Sequence, residues 1–328
     1  MQDIKVIIGI TTYNLEQYIK QCLDSILCQE TNFRYKILVV DDASTDRTRD
    51  ILKEYKEKYP DKIDLILKEK NGGYLESSNM LFNQIKTEYF SFIDGDDYWL
   101  TSTRLQKAID FLDKNPSFTM YASNSYYLKN NKIDGTIVSE DNLEKSYQFE
   151  DYIKETCPFV HTSSIVLRNV VYNNGIPQIY IDNEKTIYNC VFRGEDIRFI
   201  EHLRKGKIFV SNDITSVYRI HSNGIWQGAS KNKQLLETCL SSLKYQELFP
   251  EAKTRYIKGL KKSYQKIIFS LLRGYNFNKT EHKLFVGLLN ELQEKEYSNW
   301  CLKPIKHEKL RSKIMYHIYK IIDKIILR

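Results

Sequence analysis

Proline is scarce, at 6 residues in 328, and glycine is hardly commoner at 13. Those counts exclude collagen-like and Gly/Pro-rich low-complexity chains. None of the 6 cysteines (Cys22, Cys28, Cys157, Cys190, Cys239, Cys301) falls in a CxxC pair. The pattern therefore fits reduced thiols of a cytosolic protein rather than a disulfide framework or a zinc ribbon. No uncharged apolar run approaches the roughly 18 residues of a membrane-spanning helix. Met1-Gln2-Asp3 leads straight into an apolar segment with no positive n-region or cleavage site. A secretory leader is thus not expected, and a cytoplasmic location is. Set against these absences are 42% hydrophobic, 13% aromatic and 28% charged residues. That is the composition of a globular chain with a sizeable core.

The net charge of +7 conceals an asymmetry. Residues 1–225 carry 28 basic and 33 acidic side chains, whereas residues 226–328 carry 21 and 9. An acidic body argues against nucleic acid as its partner. The basic remainder invites a phosphate-rich partner, with an anionic membrane surface first in line.

The first hundred residues alternate between two periods. Lys5–Ile10, Tyr35–Val40, Ile63–Leu67 and Tyr89–Ile93 read as short buried strands. Leu15–Cys28, Asp46–Tyr59, Leu75–Ile85 and Arg104–Leu112 read as amphipathic helices, the second stopped by Pro60. Such alternation predicts an α/β fold around a mostly parallel sheet. Further strands are expected at Phe118–Ala122, Ser164–Leu167, Ile208–Val210 and Val217–Ile220, and a helix at Glu195–Leu203. Beyond Trp226 the pattern turns helical: Gln234–Phe249, Ala252–Leu272, Glu281–Leu292 and Leu310–Leu327. The expected organisation is a domain over 1–225, with a nucleotide-binding half at 1–100 and an acceptor half at 101–225, and a helical region over 226–328.

In an open parallel sheet, ligands bind beyond the carboxyl ends of the strands. The segments there are Thr11-Thr12-Tyr13-Asn14, Asp41-Asp42-Ala43-Ser44-Thr45-Asp46, Asn71-Gly72-Gly73 and Asp94-Gly95-Asp96-Asp97. Each alone is ordinary turn or capping chemistry. Together they put Asp41, Asp42, Asp94, Asp96 and Asp97 at one edge, where mutual repulsion calls for a cation. A hard divalent ion with oxygen ligands would answer it and hold a diphosphate. No GxGxxG follows the first strand, which excludes a dinucleotide-dependent oxidoreductase. A nucleotidyltransferase would want a basic Gly-rich loop at the same place.

The runs IGITTYN (8–14), VVDDASTD (39–46), NGGYLESSN (71–79) and FIDGDDYW (92–99) together resemble the family 2 glycosyltransferases of the GT-A fold, in a bacterial form. HTSSIVLR (161–168), GEDIRFIEHL (194–203) and YRIHSNG (218–224) extend the match to about residue 225. The resemblance implies a metal-dependent, inverting transfer of a sugar from a nucleotide-diphosphate donor, a UDP-sugar first. The implied acceptor is a hydroxyl of a cell-surface glycan or lipid-linked saccharide. Thr11, Tyr13 and Asp42 would line the base pocket. Asp94 would meet the ribose, with Asp97 close behind. Asp96, Asp97 and His221 would hold Mn2+ or Mg2+, the register within the DxD motif being ambiguous. Asp196 would be the general base, with Glu195 second. His161, Thr162 and Ser163 would lie towards the acceptor. The rival without catalysis is an inactive scaffold that binds a glycan or another protein.

Two helices of the tail carry basic faces: one has Lys258, Lys261, Lys262 and Lys266, and the last has Lys309, Arg311, Lys313, Lys320, Lys324 and Arg328. The second reads either as a membrane-surface helix, placing 306–328 on the inner face of the cytoplasmic membrane, or as a helix docked on protein.

Overall fold

The computed structural model describes residues 3–221 and 224–295. The expected helix at 310–327 and the membrane contact through 306–328 lie outside the described residues. The chain divides into two compact units, Met1–Gln227 and Gly228–Arg328.

The first unit opens with four strand–helix repeats. They are β1 (Ile4–Thr12), α1 (Ile19–Leu27), β2 (Arg34–Asp41), α2 (Thr48–Lys58), β3 (Ile63–Leu67), α3 (Tyr74–Gln84), β4 (Tyr89–Asp94), the two-residue β5 (Tyr98–Trp99) and α4 (Arg104–Lys114). Then follow β6 (Phe118–Lys129), β7 (Lys132–Thr136), β8 (Lys145–Tyr147), α5 (Phe149–Ile153), β9 (Ile165–Arg168), α6 (Gln178–Asp182), α7 (Asn189–Arg193), α8 (Glu195–Leu203) and β10 (Lys207–Ile220).

One ten-stranded sheet runs β3-β2-β1-β4-β9-β6-β10-β5, with β7 beside β6 and β8 beside β10. β1 to β4 pair in parallel, β9 is antiparallel to both its neighbours, and β10 returns parallel to β6. Helices cover both faces, which is why β1, β2 and β4 read as continuous apolar runs. On one side Ile19, Cys22, Leu23 and Ile26 of α1 join Leu105, Ala108, Ile109 and Leu112 of α4 over Val6, Ile8 and Ile10. On the other an aromatic cluster forms, with Phe82 4.7 Å from Tyr172 and 5.8 Å from Phe92 between ring centroids.

Two boundaries differ from expectation for local reasons. α1 starts at Ile19 rather than Leu15, because Leu15–Tyr18 close a turn on the Leu15 carbonyl, which accepts from the Tyr18 and Ile19 amides at 2.9 Å. The two expected strands at 208–210 and 217–220 are one, β10. The polar Ser211-Asn212-Asp213 segment coincides with a register shift against β6 between Val210 and Ile214 and breaks the apolar pattern without ending the pairing.

The second unit holds α9 (Lys231–Leu248), α10 (Lys253–Leu272) and α11 (Lys279–Glu294). Leu236, Leu240 and Leu243 of α9, Leu260, Tyr264 and Ile267 of α10, and Phe285 and Leu288 of α11 are buried. Caps set the ends. Ser230 Oγ accepts from the Lys233 amide, and Asn278 with Glu281 forms a reciprocal capping box at α11. No described helix is long and apolar enough to cross a membrane.

Candidate active site

β4 delivers Asp94 level with Thr11 of β1. The chain then turns, the Asp97 amide donating to the Asp94 carbonyl at 2.9 Å. Gly95 is closely packed: a Cβ there would fall 2.9 Å from Leu15 Cδ1 and 3.0 Å from Thr12 Cγ2, and those methyl groups would have to shift. The turn sends its three acids in different directions.

Asp96 stays partly exposed, its Oδ2 2.8 Å from His221 Nε2. Asp97 is fully buried and turned inward. Its Oδ2 accepts from Ser163 Oγ at 2.6 Å and its Oδ1 from the Arg219 amide at 2.9 Å. Both oxygens of Asp97, expected to serve metal and nucleotide, tie the turn to β10 and to the 161–164 segment, where His161 Nδ1 lies 3.6 Å from Oδ2. Arg219 completes the tie. Its guanidinium donates to the Asp96 carbonyl and to Gln21 Oε1, and lies against Tyr18 and Tyr98, 5.0 and 4.8 Å from their centroids.

Asp94 faces another group. Its carboxylate, a His161 ring nitrogen and a Glu195 oxygen all lie within 4.8 Å of one another. Glu195 opens α8, where the helix N-terminus favours negative charge, and the Thr162 amide donates to its Oε2 at 3.2 Å. Asp196, next along, is exposed. His161 is buried and stacked on Tyr218, ring centroids 4.1 Å apart. Thr162 Oγ1 is buried without a hydrogen-bond partner.

The electrostatics follow from this crowding. Burial, then Asp96 and Glu195, push the Asp94 carboxyl well above its ordinary range, and Arg198 opposes them. Burial, then Asp96 and Asp94, do the same to Asp97. Burial lowers His161 against the pull of Glu195 and Asp96, favouring a neutral imidazole. Arg198, buried one helical turn after Glu195 and lying over Phe82 and Phe92, is a built-in counter-charge.

The nucleotide half is more closed than the sequence suggests. Asp41 does not face the site. It is buried and accepts from Thr12 Oγ1 and from the Ser44 amide and hydroxyl, with Arg49 Nε 2.8 Å away. Asp42 accepts from Lys68 Nζ (2.6 Å) and the Gly72 amide (2.9 Å) at Oδ1, and from the Gly73 amide (2.8 Å) at Oδ2. Gly73 needs its left-handed backbone (φ +88°) at the entry to α3. Burial works against charge on Asp42, but Lys68 and the two glycine amides outweigh it, and its pKa is lowered. A carboxylate offers about four acceptor sites, so Asp42 keeps one at Oδ2. Thr11 is buried at the end of β1, and the Tyr13 ring is 46% exposed beyond it.

Trp99 is a core residue, its Nε1 donating to the Ser163 carbonyl at 2.9 Å, while Trp226 is exposed. The sequence reading gave little weight to His161 and none to Arg198. The HTSS run was the signal for the first, and the i+3 spacing from Glu195 could have flagged the second.

Residues 7–174 match the family model "Glycosyl transferase family 2", and the chain belongs to that family. An uncharacterised protein of Mycobacterium tuberculosis, Rv1520, is 26% identical over 223 residues, which cover 68% of this chain and 61% of that protein. The chain thus matches about three fifths of the length of that relative. The Escherichia coli protein WfaP, named a UDP-Glc:alpha-D-GlcNAc-diphosphoundecaprenol beta-1,3-glucosyltransferase, is 30% identical over 233 residues, covering 70% of this chain and 82% of its own. Among solved structures, residues 1–349 of Staphylococcus aureus TarS with UDP-GlcNAc superpose with a TM-score of 0.59 at 20% identity, over 98% of this chain and 89% of that one. At that identity the likeness speaks to the fold.

Proposed function

We propose that the chain transfers a sugar from a nucleoside-diphosphate donor, a UDP-sugar first, to a hydroxyl of a cell-surface glycan or lipid-linked saccharide, with inversion. The observation that carries this is the convergence of Asp94, His161 and Glu195 beside the Asp96–His221 pair, at the carboxyl edge of the parallel strands. The donor and acceptor in WfaP's name, and the UDP-GlcNAc bound by TarS, favour the same classes here. The work would take place at the inner face of the cytoplasmic membrane.

Thr11, Tyr13 and the open acceptor site of Asp42 receive the base, and Asp94 the ribose. Asp96 and His221 fit a divalent ion, Mn2+ or Mg2+, because both are partly exposed and leave room for diphosphate oxygens. When bound, the ion acts as a Lewis acid on the departing diphosphate. His161 and Glu195, which lie beside Asp94, we assign to the transferred sugar. Neutral His161 offers one ring N–H to a sugar hydroxyl, and Glu195, held by the Thr162 amide, accepts from another. Asp196 is the general base, taking the acceptor proton as its oxygen attacks the anomeric carbon and the diphosphate leaves with the bonding pair. Its exposed position suits an acceptor arriving from solvent.

The test is UDP release from UDP-glucose and UDP-N-acetylglucosamine in the presence of a lipid-diphosphate-linked sugar. Asp196→Asn should lower turnover by about 10²- to 10⁴-fold while UDP binding is kept. Unchanged turnover would remove Asp196 from the mechanism, and loss in Glu195→Gln alone would transfer the role to Glu195.

A further inference from the structure

Helix α10 differs from the other long helices described in carrying basic residues and no acid. α2 mixes Arg49, Lys53, Lys56 and Lys58 with Asp50, Glu54 and Glu57, as a merely solvated face does. Between Glu251 and Glu281 the chain carries 8 basic residues and no acid. At 100° per residue, Lys258, Lys262, Lys266, Phe269 and Arg273 fall within one quadrant of the helical wheel. All five are exposed, Phe269 at 54%, whereas Leu260, Tyr264 and Ile267 on the opposite side are buried. From Lys258 to Arg273 the ridge is about 22 Å long at the helical rise. Lysines at i, i+4 and i+8 repel one another and cost the helix stability. Within the ridge the Arg273 guanidinium lies 4.2 Å from the Phe269 ring centroid, and Tyr275, 39% exposed, follows in the next loop. A row of cations ending in exposed aromatics suits the headgroup region of an anionic bilayer, where Lys and Arg meet phosphates and aromatic rings settle among the glycerol groups.

We infer that α10 is a membrane-docking face that holds the second unit on an anionic lipid surface through Lys258, Lys262, Lys266 and Arg273, with Phe269 seated at the interface. The contact is electrostatic and reversible, since the apolar side of the helix is already occupied by the core of its own unit. It is distinct from any contact made by residues 306–328, and it stands whether or not the proposed sugar transfer is right.

The experiment is co-sedimentation of the full chain with vesicles of phosphatidylcholine alone or of equal parts phosphatidylcholine and phosphatidylglycerol, at low and at physiological salt. Binding is expected only to the anionic vesicles and should weaken with salt. Lys262→Gln/Lys266→Gln, with helicity confirmed by circular dichroism, should weaken it roughly 25-fold, about fivefold per charge. Phe269→Ala should weaken it further without changing the salt dependence. Equal binding to both vesicle types, or an unchanged affinity in the double variant, would overturn the inference. A soluble polyphosphate that binds with the same loss in the double variant, while vesicles do not bind, would overturn it in favour of a polyanionic polymer.

Discussion

Replacing Asp97 tests whether the inward-turned acid of the β4 turn holds the site together or binds the metal. In sequence it is one of three acids in a DxD-like run. In the fold it is a fully buried strut between the β4 turn, Ser163 and the Arg219 amide. Asp97→Ala strands both donors in a dry site, and each buried unpaired group costs about 1–3 kcal/mol. The expected loss of unfolding free energy is therefore about 4 kcal/mol. Asp97→Asn keeps the Oδ1 acceptor for Arg219 and turns an amide towards Ser163, whose hydroxyl can rotate to accept. Its cost should stay near about 1 kcal/mol. Urea unfolding followed by circular dichroism measures both variants, and manganese-dependent stabilisation by UDP is then measured on Asp97→Asn. If Asp97 is a strut, that stabilisation survives. An Asp97→Asn protein as stable as wild type but with no manganese-dependent UDP effect would refute the argument and restore Asp97 as a metal ligand.

His221→Ala should abolish the manganese dependence of UDP binding, whereas His161→Ala should keep it and lower turnover by about 10²-fold; thermal shifts beside activity assays tell the two apart. Glu201 gives a pH dependence of stability. Burial pushes its carboxyl from the ordinary 4.5 to about 7, against the hydrogen bond from Tyr180 and the charge of Arg198. A carboxyl raised in the folded state stabilises below its unfolded pKa, and that contribution is lost as pH rises through the folded value. Unfolding free energy should fall by about 3 kcal/mol from pH 4 to pH 8 on this account. In Glu201→Gln this component of the pH dependence should vanish, and urea titrations at several pH values would show it.

The parallel half of the sheet was legible because β1, β2 and β4 are buried on both faces and carry unbroken apolar runs. β7 was not legible, since all five of its residues are exposed and its Lys-Ile-Asp-Gly-Thr sequence has no apolar alternation. β5 is two residues long and exists by pairing with Ser216 and Val217, which no local pattern announces. At the site, the loops beyond the strands could be found because topology puts strand ends there. The directions of Asp96 and Asp97 could not, because neighbours in a turn point apart for reasons set by Arg219 and Ser163, far along the chain. Asp41 shows the same limit: its partners Ser44 and Thr12 make it a brace for the loop after β2. Repulsion among the five carboxylates is also eased by the protein's own cations: Arg198 opposes it at Asp94, and the Arg219 guanidinium sits against the Asp96 carbonyl.

The proposed sugar transfer depends on a nucleoside-diphosphate site that works with a divalent ion. Its most direct test is the thermal stability of the full chain with UDP, GDP, TDP or CMP, each with manganese or with a chelator. A ligand at a hundred times its dissociation constant adds about 2.7 kcal/mol to the folded state. A shift with UDP that needs manganese and disappears in Asp96→Asn is expected. No shift with any of the four nucleotides, or a UDP shift indifferent to chelator, would contradict it.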